Sequence, residues 1–271
     1  MKRFIFSYTA GQLVPYIDWN YFFHAWGIGT QAADSEKAQE IKREACQLLN
    51  DIKEHVVAKA VFALCDARGD GDNIVIEGTT LPLLRQQHSQ AGRPNICLSD
   101  FVAPHGDKIG LFATTCNTKE LTGDESDTYT RLLAQTTASR LAEATATLLH
   151  RDVRCKEELW GYAPDEQLSP AELNAEKFCG IRPAVGYPSL PDQSVIFIID
   201  SLLKTAEIGI EFTPNGAMQP HASVCGLMIH HPAAHYFAVG NISEEQLHDY
   251  AARRGIASAD LHKFLYKNLH K

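Results

Sequence analysis

The nine residues 180–188, Gly-Ile-Arg-Pro-Ala-Val-Gly-Tyr-Pro, constrain the backbone more tightly than the rest of this sequence does. Pro183 disfavours helical angles at Arg182, and the second proline does the same at Tyr187. Gly186 lies between them and permits a backbone conformation that other residues rarely adopt. We therefore predict a rigid, extended loop that holds one cation and one aromatic ring in fixed positions.

An arginine held in such a loop can bind a carboxylate through two parallel hydrogen bonds. Pro183 has no backbone N–H, but Ala184 and Val185 keep theirs and could face a ligand. The alternative is an ordinary connecting loop in which Arg182 caps a helix or pairs with an acidic residue. The nine residues alone leave both interpretations open.

The length, composition and charge of the chain limit its domain number, its binding partners and its location in the cell. With 271 residues, 45% of them hydrophobic and 21% charged, the chain is long enough for one large domain or two small ones. A net charge of −8 argues against a nucleic-acid partner. The apolar runs are shorter than the roughly 18 residues that a membrane span needs, and the first residues lack the features of a signal peptide. We therefore expect a cytoplasmic protein that is not bound to a membrane.

Motifs for a metal site or for common enzyme chemistry are missing. The seven cysteines are scattered without a C-x-x-C pair, so we expect reduced thiols that pack as small hydrophobic side chains. Cys225, His230, His231 and His235 are the strongest metal candidates, but Pro232 keeps the last two histidines off a shared helix face. The sequence has no Walker A loop, no G-x-G-x-x-G motif and no G-x-S-x-G elbow. We expect neither a metal nor a catalytic residue on the chain itself.

The apolar spacing predicts one α+β domain with a mixed core. Strands are expected at residues 4–8, 61–64, 73–76, 97–103, 108–114, 208–212, 223–229 and 236–242, and those in the last third of the chain should be antiparallel. The second and third of these should form a hairpin around residues 69–72. Helices are expected at residues 34–56, 81–89, 124–150 and 195–206, with shorter ones that follow the capping residues Ser169 and Ser243 and a last one that begins at Ser258.

Two acidic residues stand out within this pattern. Asp18 lies in residues 14–27, which carry six aromatic rings, and a carboxylate among rings needs a partner. Asp18 is therefore either the N-cap of a helix that starts at Trp19 or a ligand group. Glu143 lies far round the predicted long helix from its apolar stripe, so periodicity predicts that it is exposed.

Eight blocks of this sequence, in order, resemble the activation (reactivation) domain of cobalamin-dependent methionine synthase. They are residues 16–26, 98–104, 140–144, 160–164, 180–188, 222–226, 231–232 and 236–239. The resemblance is strongest from about residue 14 onward, and it implies that residues 1–271 form one activation-like domain. The implied fold is a C-shaped α+β domain with a central antiparallel sheet and flanking helices.

The family binds S-adenosylmethionine through an Arg-x-x-x-Gly-Tyr motif, which corresponds here to residues 182–187. The resemblance places Glu143 in the site, against the prediction from periodicity. The ligand carries a carboxylate, an ammonium and a sulfonium, which call for one cation and two anions. The implied binding residues are Asp18, Glu143, Arg182, Ala184, Tyr187, Tyr236 and Phe237.

The reaction implied by the resemblance restores methylcobalamin when the cofactor has oxidised to cob(II)alamin. The methyl group comes from S-adenosylmethionine, and one electron comes from a flavodoxin-like donor. The chain has no homocysteine-, folate- or cobalamin-binding module, so it should be inactive as a methyltransferase without a cobalamin-bearing partner. It is then a stand-alone subunit that acts in trans or an excised fragment, and the start at Met1 favours the former. The other interpretation is a non-catalytic, regulatory S-adenosylmethionine-binding protein.

Overall fold

The computed structural model describes residues 1–88, 92, 94–122 and 127–269. Its strands are β1 (Lys2–Thr9), β2 (Val56–Asp70), β3 (Asn73–Ile76), β4 (Thr79–Pro82), β5 (Asp107–Cys116), β6 (Glu211–Phe212), β7 (Met218–Gln219) and β8 (Ser223–Met228). Its α-helices are α1 (Ala10–Leu13), α2 (Trp19–Ala25), α3 (Glu36–Asp51), α4 (Lys119–Thr122), α5 (Thr128–Cys155), α6 (Pro170–Asn174), α7 (Ile196–Leu203), α8 (Glu244–Arg254) and α9 (Ser258–Leu265). Five 3₁₀ turns are Val14–Tyr16, Thr30–Ala32, Leu98–Phe101, Gln193–Val195 and Thr205–Ile208.

A curled antiparallel sheet of six strands organises the fold, in the order β4-β3-β2-β5-β8, with β1 also paired to β2. β2 is long enough to pair along one edge with two strands in succession. β1 occupies that edge from Val56 to Leu64, and β3 occupies it from Ala67 to Asp70. β5 takes the opposite edge of β2 and carries β8 on its far side. This arrangement confirms the α+β class with a central antiparallel sheet.

The two faces of the sheet carry separate apolar layers because successive side chains of a strand point to opposite faces. On one face, Phe62 of β2 packs with Leu141 of α5. On the other face, Val61 packs with Ile199 of α7. The long helix α5 therefore lies across one side of the sheet, and α7 covers the other.

A buried polar cluster attaches the C-terminal helices to the segment before α7. The Tyr250 hydroxyl on α8 donates a hydrogen bond to Asp192 Oδ2 at 2.7 Å, and Arg254 Nη1 lies 3.3 Å from the same oxygen. All three side chains are almost fully enclosed. A charged pair at this depth requires such hydrogen bonding, since an unpaired buried charge is strongly destabilising.

Several predicted elements are confirmed. The hairpin of β2 and β3 turns at Gly71 and Asp72, and strands form where residues 4–8, 108–114 and 223–229 predicted them. Ser169 and Ser243 cap α6 and α8, and α8 ends at Gly255 as expected. Four of the cysteines, Cys65, Cys97, Cys116 and Cys225, are enclosed in the apolar layers.

Three predicted elements are wrong. Residues 81–89 contain no helix where they are described: Leu81 of β4 pairs with Ile74 of β3, and an irregular segment follows. Residues 97–103 form a 3₁₀ turn, because the Asp100 carboxylate accepts a hydrogen bond from the Cys97 backbone N–H at 2.9 Å. Residues 236–242 form no strand within the described chain: Val239 N donates to the Pro188 carbonyl, and Ile242 forms an isolated bridge with Leu269.

Boundaries also differ from those predicted. The long helix starts at Thr128 because Asp127 is its N-cap, and residues 123–126 lie outside the described chain. The helix after residue 195 stops at Leu203, where Lys204 takes a left-handed conformation. The strand expected at 208–212 is reduced to Glu211–Phe212. Within the described residues, no helix is both long and apolar enough to cross a membrane.

Candidate functional site

The loop of residues 181–185 lies against β8 as an additional edge segment of the sheet. Ile181 and Ile229 exchange both of their backbone hydrogen bonds, each 2.9 Å long. Further along, Leu227 N donates to the Pro183 carbonyl and Val185 N donates to the Cys225 carbonyl, both at 2.9 Å. The prediction of an extended, rigid loop is therefore confirmed, and the sheet is what makes it rigid.

Two glycines allow the loop to take this course. A Cβ atom on Gly226 of β8 would lie 2.2 Å from the Pro183 carbonyl oxygen and 2.8 Å from Ala184 Cα. Only a glycine permits so close a backbone approach. Gly186 has a φ angle of 84°, the left-handed conformation that its place between the two prolines predicted.

The pairing decides which backbone N–H groups of the loop remain available. The N–H of Val185 is used by the sheet, so the expectation that it could face a ligand is wrong. Ala184 and Gly226 stand opposite each other without exchanging backbone hydrogen bonds. In such a pair the N–H groups point away from the neighbouring strand, so the Ala184 N–H points away from β8. No acceptor for this N–H is found in the described part of the chain. Ala184 also lines a cavity.

That cavity has a volume of about 480 Å³, within the usual range for small-molecule sites. The loop, α5, α6 and the start of α2 surround it. All seven site residues predicted above line this one cavity, although they are spread from position 18 to position 237. The complete lining is Asp18, Tyr21, Arg140, Glu143, Thr147, Leu173, Asn174, Glu176, Phe178, Arg182, Pro183, Ala184, Tyr187, Pro188, Ser189, Tyr236 and Phe237.

The guanidinium of Arg182 is largely enclosed but incompletely paired. Its carbon lies 5.7 Å from the centre of the Phe112 ring, and Nη2 donates to Thr147 Oγ1 at 3.3 Å. Its nearest acid is Glu143, whose Oε2 lies 3.9 Å from Nη1. Nε is shielded from solvent and has no hydrogen-bond partner among the described residues. A fork held in this way retains donors for an incoming anion.

Glu143 is part of the cavity wall, so the prediction that it is exposed is wrong. Its Oε1 accepts a hydrogen bond of 2.8 Å from the Tyr187 hydroxyl, and its side chain is 30% exposed. Periodicity located the apolar stripe of α5 correctly, but the loop covers the polar face of the same helix. Partial burial of the Tyr187 ring, together with the neighbouring Glu143 carboxylate, raises the pKa of its hydroxyl above the usual range.

The two interpretations of Asp18 turn out to be compatible. Its Oδ1 accepts a hydrogen bond from Asn20 N at 2.9 Å, which makes Asp18 the N-cap of α2. The same residue lines the cavity. The helix cap therefore fixes a carboxylate at the cavity wall.

Tyr236 and Phe237 close the cavity from the segment after β8. The Tyr236 hydroxyl accepts a hydrogen bond of 2.9 Å from the backbone N–H of Arg182, so it helps to fix the loop. Phe237 packs against the apolar layer beneath, with its ring centre 6.4 Å from that of Phe101.

Seven further polar or aromatic residues of the lining were not found from the sequence: Tyr21, Arg140, Thr147, Asn174, Glu176, Phe178 and Ser189. Arg140 and Thr147 precede and follow Glu143 by three and four residues, so helical spacing would reveal them once Glu143 is placed in the site. Glu176 follows α6 and has a φ angle of 56°. Burial raises the pKa of Glu176, while nearby Arg182 acts in the opposite direction.

Comparisons with known proteins agree with this geometry. A family model described as "Vitamin B12 dependent methionine synthase, activation domain" matches residues 9–255. A solved structure described as "Crystal Structure of the MetH Reactivation Domain bound to AdoHcy" aligns with a TM-score of 0.90 and 34% sequence identity. The alignment covers 100% of this chain and 91% of that chain, so it includes the residues before position 14.

Proposed function

Because the chain belongs to the family of vitamin B12-dependent methionine synthase activation domains, we propose that its cavity binds S-adenosylmethionine for the reductive remethylation of cob(II)alamin. The cobalamin is carried by a partner, on which this chain acts in trans. The observation that supports this most directly is the incompletely paired Arg182 fork in a cavity that also holds carboxylates. The similar solved structure holds AdoHcy, the product that remains when S-adenosylmethionine has lost its methyl group.

The charges of the cavity suit this ligand. Arg140 and Arg182 contribute two positive charges, and Asp18, Glu143 and Glu176 contribute three negative charges when all are ionised. The resulting charge of −1 complements S-adenosylmethionine, whose carboxylate, ammonium and sulfonium sum to +1. S-adenosylhomocysteine has no sulfonium and is neutral overall. An enclosed site makes such complementarity more effective than it is in water.

Individual groups of the cavity can each be assigned to one part of the ligand. Arg182 binds the ligand carboxylate through its fork, and the ring of Phe112 and the hydroxyl of Thr147 hold that fork in place. Glu143, fixed by the Tyr187 hydroxyl, presents its carboxylate to a cationic centre of the ligand. The backbone N–H of Ala184 donates to a further acceptor. These groups bind and orient the methyl donor.

The acceptor of the methyl group has to come from outside the chain. The described lining of the cavity contains no cysteine, histidine or lysine that could act as a nucleophile. Methyl transfer requires the donor carbon and the acceptor to lie in line at about 3–3.5 Å. A cobalamin-bearing partner therefore has to dock over the open side of the cavity, and a flavodoxin-like donor supplies its electron.

Mixing experiments test the proposal. The chain is combined with S-adenosylmethionine, a flavodoxin-type reductant and a separate cobalamin-binding protein that carries cob(II)alamin, and methylcobalamin is followed by its absorption spectrum. We expect methylcobalamin only when all components are present, because the chain supplies only the donor side.

Arg182→Ala is the matched control and should slow the reaction at subsaturating ligand. Ligand binding without any gain on adding the partner would contradict transfer in trans and favour a regulatory, non-catalytic role.

We also expect Glu143→Gln to discriminate between two ligands. The variant keeps an acceptor for the Tyr187 hydroxyl and removes only the charge. Affinity for S-adenosylmethionine should fall about two- to fivefold, the usual size for a partly screened charge interaction, while affinity for S-adenosylhomocysteine should change less. Calorimetric titration with both ligands measures this difference.

The corresponding variant Asp18→Asn keeps the cap of α2 and shows whether the second acid contributes as well. Glu157→Gln, at an exposed acid outside the cavity, controls for the change in net charge. Equal losses for both ligands in Glu143→Gln would show that Glu143 does not sense the sulfonium.

A further inference from the structure

Arg140 is a cation of the cavity wall without a charged partner in the described chain. Its guanidinium carbon lies 5.8 Å from the centre of the Tyr21 ring, an arrangement that favours a cation. No described carboxylate lies within 4.0 Å of it, and its Nε is shielded from solvent without a hydrogen-bond acceptor. Its two Nη atoms have no hydrogen-bond acceptor among the described residues either, and Arg140 lines the cavity, so these terminal donors are available to a ligand.

Distances along the axis of α5 help to locate that acceptor. Arg140, Glu143 and Thr147 share one face, because residues three, four and seven apart lie above one another on an α-helix. At a rise of about 1.5 Å per residue, Glu143 lies about 6 Å along the axis from Thr147, and Arg140 lies about 10.5 Å from it. The Arg182 guanidinium donates to Thr147 Oγ1 at 3.3 Å and lies 3.9 Å from Glu143 Oε2, so the carboxylate end of a ligand belongs between the levels of Thr147 and Glu143.

Distances within S-adenosylmethionine can be compared with these distances along the axis of α5. Its carboxylate carbon and its sulfur are separated by four bonds of about 1.5–1.8 Å, which span about 5 Å when extended. A ligand bound along α5 with its carboxylate on Arg182 therefore has its sulfonium near Glu143. The ribose and the adenine continue beyond the sulfur and reach the level of Arg140, where Asp18 and Tyr21 also line the cavity.

We propose that Arg140 is a further binding residue of this site and donates hydrogen bonds to the nucleoside half of the ligand. The acceptors are the ribose oxygens and the ring nitrogens of the adenine. The ring of Tyr21 holds the guanidinium, and Arg182 remains the residue for the carboxylate. This inference rests on the proposed function, since it requires an adenosyl ligand in the cavity.

The test uses Arg140→Met, which keeps the length of the side chain and removes its donors. Calorimetric titrations compare S-adenosylmethionine with 5′-methylthioadenosine, which has the nucleoside but lacks the amino-acid part. The variant should weaken both ligands by a similar factor, about 10- to 100-fold, the effect of a hydrogen bond from a charged group. Arg182→Met should weaken S-adenosylmethionine alone.

Arg131→Met is the control, because Arg131 is an exposed arginine of the same helix and its guanidinium donates to Thr128 Oγ1. It should leave both affinities unchanged. Thermal melting of each variant shows whether it is folded. A loss for S-adenosylmethionine alone in Arg140→Met would overturn the assignment to the nucleoside, and unchanged affinity for both ligands would overturn any contact.

If 5′-methylthioadenosine binds too weakly for titration, a crystal structure of the chain with S-adenosylhomocysteine decides the question. A guanidinium nitrogen of Arg140 within about 3.2 Å of a ribose or adenine acceptor supports the proposal, and a separation beyond about 4 Å overturns it. A failure of the proposed function would give a different result from a failure of the Arg140 assignment alone. In that case the unaltered protein binds no S-adenosylmethionine, and both the proposed function and this assignment fall.

Discussion

Arg182→Ala is expected to weaken binding of S-adenosylmethionine by about 1.5–3 kcal/mol, or roughly 10- to 150-fold. The substitution removes the fork that we assign to the ligand carboxylate, and the carboxylate then has no comparable donor at its end of the cavity. The backbone hydrogen bond from Arg182 N to the Tyr236 hydroxyl does not depend on the side chain, so the loop should keep its position. Calorimetric titration measures the loss.

Arg182→Lys separates the charge of this residue from its geometry. Lysine retains the positive charge but offers a point donor instead of a planar fork, so it should recover only part of the affinity. Full recovery would mean that charge alone suffices. Equal affinity in the unaltered protein and in Arg182→Ala would remove Arg182 from the binding site.

Gly226→Ala should disrupt the site although Gly226 itself does not line the cavity. The added methyl group would lie 2.2 Å from the Pro183 carbonyl oxygen and 2.8 Å from Ala184 Cα, and both of these are backbone atoms. The loop has to move away from β8, which breaks the hydrogen bond from Leu227 N to the Pro183 carbonyl. We expect a loss of affinity of at least about 100-fold, because Arg182 and Ala184 are displaced together.

The same substitution should lower the stability by about 1–3 kcal/mol, the usual cost of overpacking, and the melting temperature by roughly 2–10 °C. Gly29→Ala is the matched control, since a Cβ at Gly29 has no heavy atom within 4 Å and its backbone needs no left-handed angle. Gly29→Ala should change neither the ligand affinity nor the stability appreciably. Retention of ordinary affinity in Gly226→Ala would show that the site does not depend on the close approach of the loop.

The parts of the fold that were predictable are those in which neighbouring residues decide the conformation. The turn at Gly71 and the caps at Ser169 and Ser243 are local, and the sequence shows them directly. The failure at residues 81–89 has a non-local cause. Leu81, Leu83 and Leu84 are all buried and suit a helix, but Leu81 pairs with Ile74 across a hairpin.

The candidate site divides in the same way. The extended course of the loop was predictable from two prolines and a glycine close by, whereas the pairing with β8 that fixes Arg182 was not. The position of Glu143 does not, because a loop about forty residues further along the chain covers its face of α5. Only the family resemblance placed it in the site. The role of Gly226 is also hidden in the sequence, since it depends on the approach of Pro183 to β8.

The attachment of residues 181–185 to β8 has a consequence for the entropy of binding. Fixing the backbone of one residue costs roughly 1–2 kcal/mol, so ordering five residues when a ligand arrives would cost about 5–10 kcal/mol. Here the hydrogen bonds to β8 order these residues while the sheet forms. That cost belongs to the folding free energy of the sheet, and a ligand of this cavity meets a surface whose backbone is already fixed.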